Sequence, residues 1–239
     1  MKSPNNDAKV SSNGSVISSV SYGDQAPGSR TGHTWDGTHL WVTAAAPTGE
    51  DYLEKVSPGG SIAASFLAPN SPDAHYTAAA WDGSHLWLAD SALAYRRIIE
   101  VDPTDMSVIT SFSAPAFGLG GLTWDGTSLW CLCAPDRVVY RVSPSGTVLE
   151  AWSLPGVVAE AAPVGLAFDG QDFWVQTGLL GYGTVESPSF VPARIYRLAI
   201  PEPCTVGLVS AGALVSFAVL LGRRIRAHTW RSGSTAGGA

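Results

Sequence analysis

The stretch TWDGTHLW at residues 34–41 recurs as AWDGSHLW at 80–87, TWDGTSLW at 123–130 and AFDGQDFW at 167–174. Its last Trp falls at positions 41, 87, 130 and 174, so the chain repeats in steps of 46, 43 and 44 residues. Asp-Gly between apolar runs is a strong β-hairpin signal, because Gly readily adopts the positive φ that the turn needs. Each octet therefore predicts two antiparallel strands joined by a tight turn.

The rest of the unit also repeats. A third strand ending in a proline turn follows each octet, at YLEKVSPGG (52–60), IIEVDPTD (98–105), VYRVSPSG (139–146) and IYRLAIPEP (195–203). Three of these turns lead into a fourth strand, at 61–69, 107–115 and 147–155. Four short strands per 40–50 residues are typical of propeller blades. We therefore predict an all-β fold, a β-propeller of about four blades over residues 15–200, with repeats near 32–69, 78–115, 119–155 and 164–200.

A strand of the fourth type, SVISSVSYG at 15–23, precedes the first octet, whereas the last unit has none after it. We expect residues 15–23 to complete the blade formed by 164–200, so that an N-terminal velcro strand closes the ring. Closure would remove the open edges that invite aggregation. The alternative is a fragment of a larger ring that has lost blades upstream. Residues 1–14 are polar and unpatterned, and we expect them to be disordered.

The repeat resembles those of streptogramin-lyase-like and NHL-type propellers, in which a D-G-x-L-W hairpin is followed by a strand, an S-P-x-G turn and a further strand. The resemblance implies an architecture, since propellers host unrelated functions. Streptogramin-type lyases use a His and Glu cluster with a magnesium ion, and no such cluster aligns here. We predict no catalytic, cofactor-binding or metal-ligating residues and no cofactor.

Charge is unevenly placed along the chain. Residues 1–202 carry ten Lys and Arg against twenty Asp and Glu, a net charge of −10, whereas the rest of the chain carries four Arg. Such an acidic body excludes nucleic acid as a partner, because binding to phosphates depends on basic side chains.

The composition changes after Ile200. Pro201, Glu202 and Pro203 precede Cys204 and an uncharged span at 205–222, which is followed by Arg223, Arg224 and Arg226. Eighteen helical residues reach roughly 27 Å, close to the thickness of a bilayer core. We predict one transmembrane helix whose arginines stay in the cytoplasm, with the propeller on the other side.

The order of triplet, apolar span and arginines resembles the PEP-CTERM sorting signal, which an exosortase-type enzyme recognises in bacteria that make exopolysaccharide. The resemblance implies Pro201, Glu202 and Pro203 as the sorting motif and Arg223, Arg224 and Arg226 as the cytoplasmic stop. Residues 201–228 would form the sorting and anchor segment, and 229–239 a disordered tail. The alternative is an ordinary C-terminal anchor. The start lacks a signal peptide, and we expect a start assigned too late or a fragment.

Several residues could carry chemistry and have simpler structural roles. The repeated aspartates Asp36, Asp82, Asp125 and Asp169 occupy turn positions, and His39 and His85 sit in equivalent turns. Cys131 and Cys133 fit small buried side chains. The periodic Trp residues favour core packing over carbohydrate stacking. We expect His33 and His75, which precede the first two octets, to lie near the central channel, and Glu160 is the third residue whose position there would indicate chemistry.

An insertion at 177–193 lengthens the fourth unit, and with Tyr182 and Phe190 it is the candidate recognition loop. Two functions follow as hypotheses. The first is an exported, non-catalytic binding or structural module of the cell envelope or extracellular matrix, whose partners would be an exosortase-type enzyme, the membrane before processing, and an exopolysaccharide or envelope protein. The second is an exported propeller enzyme of the lyase, lactonase or cyclotransferase type.

Overall fold

The computed structural model describes residues 6–10, 15–21, 29–46, 48–92, 94–154, 163–178, 180–184, 187–191 and 194–199. These residues form strands and turns, and the strands of the first two repeats follow an N-terminal hairpin. The hairpin is β1 (Asn6–Val10) and β2 (Val16–Ser21). Blade one is β3 (Ser29–Trp35), β4 (Leu40–Ala45), β5 (Asp51–Val56) and β6 (Ile62–Leu67). Blade two is β7 (Tyr76–Trp81), β8 (Leu86–Asp90), β9 (Arg97–Val101) and β10 (Val108–Ser113).

The remaining strands belong to the third and fourth repeats. Blade three is β11 (Leu119–Trp124), β12 (Leu129–Cys133), β13 (Val138–Val142) and β14 (Val148–Ser153). Blade four pairs β15 (Pro163–Phe168), β16 (Asp172–Thr177) and β19 (Arg194–Ala199), and a separate hairpin is β17 (Leu180–Thr184) with β18 (Ser187–Val191). The predicted all-β fold with a four-blade propeller arrangement is thereby confirmed.

The Asp-Gly turns form as the octets predict. Their glycines have φ values of +96° at Gly37, +108° at Gly83, +97° at Gly126 and +96° at Gly170. Each turn connects the first and second strands of its blade, and both strands are antiparallel. The octet therefore fixes the innermost hairpin of all four blades.

The first strands of the blades line the propeller axis and approach each other closely. A Cβ added to Gly32 would lie 2.6 Å from Ala78 Cα, and one added to Gly121 would lie 2.6 Å from Leu166 N. Thr31 Oγ1 donates to Tyr76 O at 2.9 Å, and Thr77 Oγ1 donates to Leu119 O at 2.7 Å. Small residues and threonine hydroxyls thus join successive blades at the centre.

Three apolar clusters fill the interfaces between consecutive blades. The first joins Trp41 and Leu53 of blade one to the Leu86 face of blade two. The second joins Trp87 to the Leu129 face of blade three, and the third joins the Trp130 face to blade four. Blades two and three therefore bury both faces by stacking, as in other repeat architectures.

The predicted ring closure is not found among the described residues. Residues 15–23 were expected to pair with the blade formed by 164–200, but β2 pairs with β1, and blade four has three strands among the described residues. The structure also has β1 within residues 1–14, where we expected disorder. Pairing two segments that are neighbours in sequence costs less loop-closure entropy than pairing the two ends of a long chain.

The insertion at 177–193 contains a hairpin where the sequence predicted an irregular loop. Tyr182 lies in β17 opposite Ser189, and Phe190 lies in β18 opposite Gly181. The segment 201–239, with the predicted transmembrane helix, lies outside the described residues. No helix long and apolar enough to cross a membrane occurs in the part of the chain that the structure describes.

Candidate functional site

A cavity of about 260 Å³ lies at the propeller axis. The first strands of all four blades contribute to its wall, and blade four adds side chains from its second and third strands. The lining residues are Thr31, Gly32, His33, Thr77, Ala78, Ala79, Gly120, Gly121, Leu122, Val164, Gly165, Leu166, Ala167, Trp174, Gln176 and Ile195. Small side chains on the converging strands leave this space open.

One of the four repeated tryptophans faces this cavity. Trp41, Trp87 and Trp130 are each at most 2% exposed, whereas Trp174 is half-buried and lines the cavity. The buried three each meet an aromatic ring on the fourth strand of their own blade, at centroid distances of 5.9 Å to Phe66, 6.0 Å to Phe112 and 4.6 Å to Trp152. Blade four has three strands among the described residues, and Trp174 lies on its accessible face.

The aspartate of each octet holds both the turn and the tryptophan. In blade four, Asp169 Oδ1 accepts the backbone N–H groups of Gln171 at 2.9 Å and Asp172 at 2.8 Å, and Oδ2 accepts Trp174 Nε1 at 2.7 Å. Hydrogen bonds from Asp172 and Trp174 hold the pKa of Asp169 below its usual value. The bond to Nε1 restrains the orientation of the Trp174 ring.

The same hydrogen bond between the octet aspartate and the repeated tryptophan recurs in the other blades. The Trp Nε1 to Asp Oδ2 distance is 2.9 Å for Trp41 with Asp36, 2.9 Å for Trp87 with Asp82 and 2.7 Å for Trp130 with Asp125. For Asp36 and Asp125, burial raises the pKa, but the hydrogen bonds that each carboxylate accepts outweigh it and leave the pKa lowered. The repeated aspartates therefore have the structural role expected of turn residues.

Blade two contains a group of side chains that could bind a metal ion. His85 Nδ1 lies 3.0 Å from Glu100 Oε1 and 3.8 Å from Asp82 Oδ2. One ligand atom from each residue lies within 4.8 Å of the others. Glu100 was not predicted from the sequence, although it stands at the position where the other blades have Lys55, Arg141 and Arg197.

Of the two histidines expected near the channel, His33 lines the axial cavity. His75 lies elsewhere, with a half-exposed side chain whose Nδ1 is 3.6 Å from Asp51 Oδ2. Glu160 lies outside the described residues, as do the sorting motif and the cytoplasmic stop. The backbone positions of Tyr182 and Phe190 lie in the β17–β18 hairpin.

Cys131 and Cys133 are both buried and not disulfide-bonded. Burial raises the pKa of both thiols. Because the reactive form of cysteine is the thiolate, the raised pKa disfavours reactivity, and both side chains pack in the interface between blades two and three.

Two buried carboxylates at the interface between blades one and two were also missed. Asp51 and Asp90 are 3% and 2% exposed. Asp51 accepts the N–H of Tyr76 at 2.7 Å, and Asp90 accepts the N–H of His75 at 3.0 Å and Arg97 Nε at 3.1 Å. Burial raises the pKa of Asp51. These hydrogen bonds hold the start of β7 to Asp51 of blade one and to Asp90 of blade two. The two carboxylates therefore have a structural role.

No protein-family model matches the chain, and no curated protein matches it significantly. Solved structures do match. The nidogen/laminin complex aligns with 81% of this chain and 85% of that chain at 13% identity and a TM-score of 0.53. Virginiamycin B lyase from Staphylococcus aureus aligns over 80% and 69% at 16% identity and a TM-score of 0.46.

Glutaminyl cyclase from Myxococcus xanthus aligns with 62% of this chain at 12% identity and a TM-score of 0.49, and the alignment spans 61% of the cyclase. Identities this low carry no information on activity, since one fold hosts unrelated functions. The β-propeller fold is shared by binding, structural and enzymatic proteins, and the chain has that fold.

Proposed function

We propose that this chain is an exported, non-catalytic β-propeller that binds a neutral polysaccharide at the axial cavity and is sorted to the cell envelope or extracellular matrix by a PEP-CTERM/exosortase-type system. The binding proposal rests on the position of Trp174. It is the one repeated Trp among the described residues that lines the cavity instead of an interface between blades.

The chemistry of the lining supports a sugar ligand. An indole offers a flat apolar face with a polar edge, and Gln176 adds an exposed amide beside it. Small-molecule sites usually combine such apolar surface with a few polar groups that fix orientation. The net charge of −10 on residues 1–202 opposes an anionic polymer and so favours a neutral one.

The lining also supports binding over catalysis. His33 is the only titratable side chain among the described residues that line the cavity. Hydrolytic and lyase reactions commonly need a positioned acid and a positioned base. A ligand held against Trp174 and Gln176 would meet one such group at most in the described wall.

Replacing Trp174 by alanine should abolish retardation of the protein by neutral polysaccharide. Native affinity electrophoresis in gels containing dextran, laminarin or hydroxyethyl cellulose measures this directly. Removing a stacking aromatic should weaken binding at least tenfold, equal to about 1.4 kcal/mol. Gels containing alginate should retard neither the wild type nor Trp174→Ala, because alginate and the protein are both anionic.

Trp35→Ala is the matched control for that experiment. Trp35 is 49% exposed and lies outside the cavity lining, so its loss should leave the retardation unchanged. Equal retardation of wild type and Trp174→Ala, or no retardation by any neutral polymer, would contradict the binding proposal and leave sorting untouched.

The sorting proposal rests on the order of segments after Ile200. The triplet Pro201-Glu202-Pro203 directly precedes the uncharged span at 205–222 and the arginines that begin at Arg223. An arginine cluster next to an apolar span should stay in the cytoplasm, so the propeller would lie on the far side of the membrane.

In a bacterial host that has an exosortase, we expect the mature protein to lack the segment from Arg223 to Ala239. Intact-mass analysis of the secreted or surface fraction measures the loss. The double variant Pro201→Ala, Glu202→Ala should accumulate as full-length precursor in the membrane fraction. A mature species that retains Ala239 in such a host would rule out processing.

A further inference from the structure

Each blade pairs its repeated Trp with one residue directly opposite on the third strand. The pairs are Trp41 with Lys55, Trp87 with Glu100, Trp130 with Arg141 and Trp174 with Arg197. Because the four pairs occupy the same register, three blades serve as internal references for the fourth.

A cation occupies this position in three blades. Lys55 Nζ lies 5.1 Å from the Trp41 ring centroid, and the guanidinium carbons of Arg141 and Arg197 lie 5.5 Å and 5.9 Å from theirs.

These cations also contact the carboxylates of the octet. Lys55 Nζ is 3.8 Å from Asp36 Oδ2, Arg141 Nε is 3.6 Å from Asp125 Oδ2, and Arg197 forms an ion pair with Asp172. The site therefore combines an indole face and a carboxylate, both of which attract positive charge.

Blade two has the opposite charge at this position. Glu100 brings a second carboxylate towards Asp82, and the side chain between them is His85. Among the described residues, no Lys or Arg pairs with these two carboxylates, and His85 is the side chain that contacts both.

We propose that Asp82, His85 and Glu100 bind a divalent transition-metal ion, for which Zn²⁺ is the best match. One imidazole nitrogen and two carboxylate oxygens are a ligand set that Zn²⁺ accepts, with a fourth position left for water. Ca²⁺ and Mg²⁺ prefer oxygen ligands alone, so the histidine disfavours them.

Two of the three distances between the ligand atoms are already close to those of a tetrahedral site. Ligand atoms about 2 Å from a tetrahedral Zn²⁺ lie roughly 3.3 Å apart, and the two distances from His85 Nδ1 are 3.0 Å and 3.8 Å. Asp82 is already fixed, because Oδ1 accepts two backbone N–H groups and Oδ2 accepts Trp87 Nε1. The His85 side chain is 37% exposed and gives an ion access from solvent.

The test is titration of the full chain, purified in mild detergent without a polyhistidine tag, with ZnCl₂ by isothermal calorimetry at pH 7.5. We expect one saturable site per chain and a higher melting temperature with the metal. Glu100→Lys installs the blade-one cation, and it should weaken Zn²⁺ binding at least tenfold while raising the melting temperature of the metal-free protein. His85→Gln should weaken binding to a similar extent.

His39→Gln is the matched control, because His39 occupies the same turn position in blade one, where Lys55 supplies the charge. It should bind Zn²⁺ as the wild type does. Absence of saturable binding up to millimolar Zn²⁺ would overturn the proposal, as would binding that Glu100→Lys leaves unchanged or that His39→Gln abolishes. Stabilisation of the wild type by Ca²⁺ but not by Zn²⁺ would also overturn it.

Discussion

Replacing Trp130 by alanine should destabilise the propeller by about 3–5 kcal/mol, the range for removing a large buried aromatic side chain. Trp130 is 2% exposed, and its ring centroid lies 4.6 Å from both Trp152 and Phe173, so it joins blade three to blade four. The change would also remove the indole N–H that Asp125 accepts. Urea denaturation followed by circular dichroism measures the loss.

Trp174→Ala is the matched comparison for stability. Trp174 occupies the same position in blade four, but its ring is half-buried and faces the cavity, so its removal leaves a smaller void. Its midpoint of urea denaturation should shift by less than half as much. Equal shifts for the two variants would show that packing between blades does not distinguish these positions.

Glu54→Ala should destabilise the protein by about 3–5 kcal/mol, because it removes one partner of a buried ion pair. Arg30 Nε and Nη2 lie 3.0 Å and 2.8 Å from Glu54 Oε2, and the two side chains are only 5% and 6% exposed. The Arg30 guanidinium would keep the desolvation cost of burial and lose both hydrogen bonds to Glu54. The midpoint of urea denaturation at pH 7 measures the effect.

Glu150→Ala provides the control for that variant. Glu150 lies 3.1 Å from Arg141, but the two side chains are 40% and 31% exposed. An exposed pair of this kind contributes about 0–1 kcal/mol. The double variant Arg30→Met, Glu54→Met should recover much of the loss, since an apolar pair avoids the desolvation cost. Similar losses for Glu54→Ala and Glu150→Ala would contradict the assigned burial.

The blades could be predicted from sequence because their signals are local. An Asp-Gly turn, an alternating strand and a proline turn each act over a few residues, so four copies predicted four hairpins at the observed positions. No local signal gave the pairing partner of residues 15–23. That partner was inferred from the count of strands. Nothing in SVISSVSYG distinguishes a partner at 6–10 from one at 194–199.

The β17–β18 hairpin was missed for a different reason. The two residues between its strands, 185–186, are neither Asn-Gly nor Asp-Gly, and the second strand contains Pro188, so the segment resembles a loop in sequence. The Arg30–Glu54 ion pair could not be predicted from the sequence. Its two residues are 24 positions apart, and the sequence does not give the register of the strands that carry them.

Glu100 could have been found. Aligning the third strands places Glu100 in the column that holds Lys55, Arg141 and Arg197, and a reversal of charge in one column is visible without any structure. What the sequence could not supply is the 3.0 Å approach of His85, which depends on how the turn and the third strand meet across the blade. The cavity position of Trp174 likewise depends on packing between blades.

The glycines at the propeller centre have a consequence for how many blades this chain can assemble. Where Gly32 passes Ala78 and Gly121 passes Leu166, the gap is too narrow for a single methyl group. In a propeller with few blades, the angle between successive blades is large. The first strands then lie close together at the axis and leave little room for side chains. The small residues on the first strands therefore allow a large angle between neighbouring blades. A methyl group at either glycine would push the two adjacent blades apart and favour a propeller with more blades.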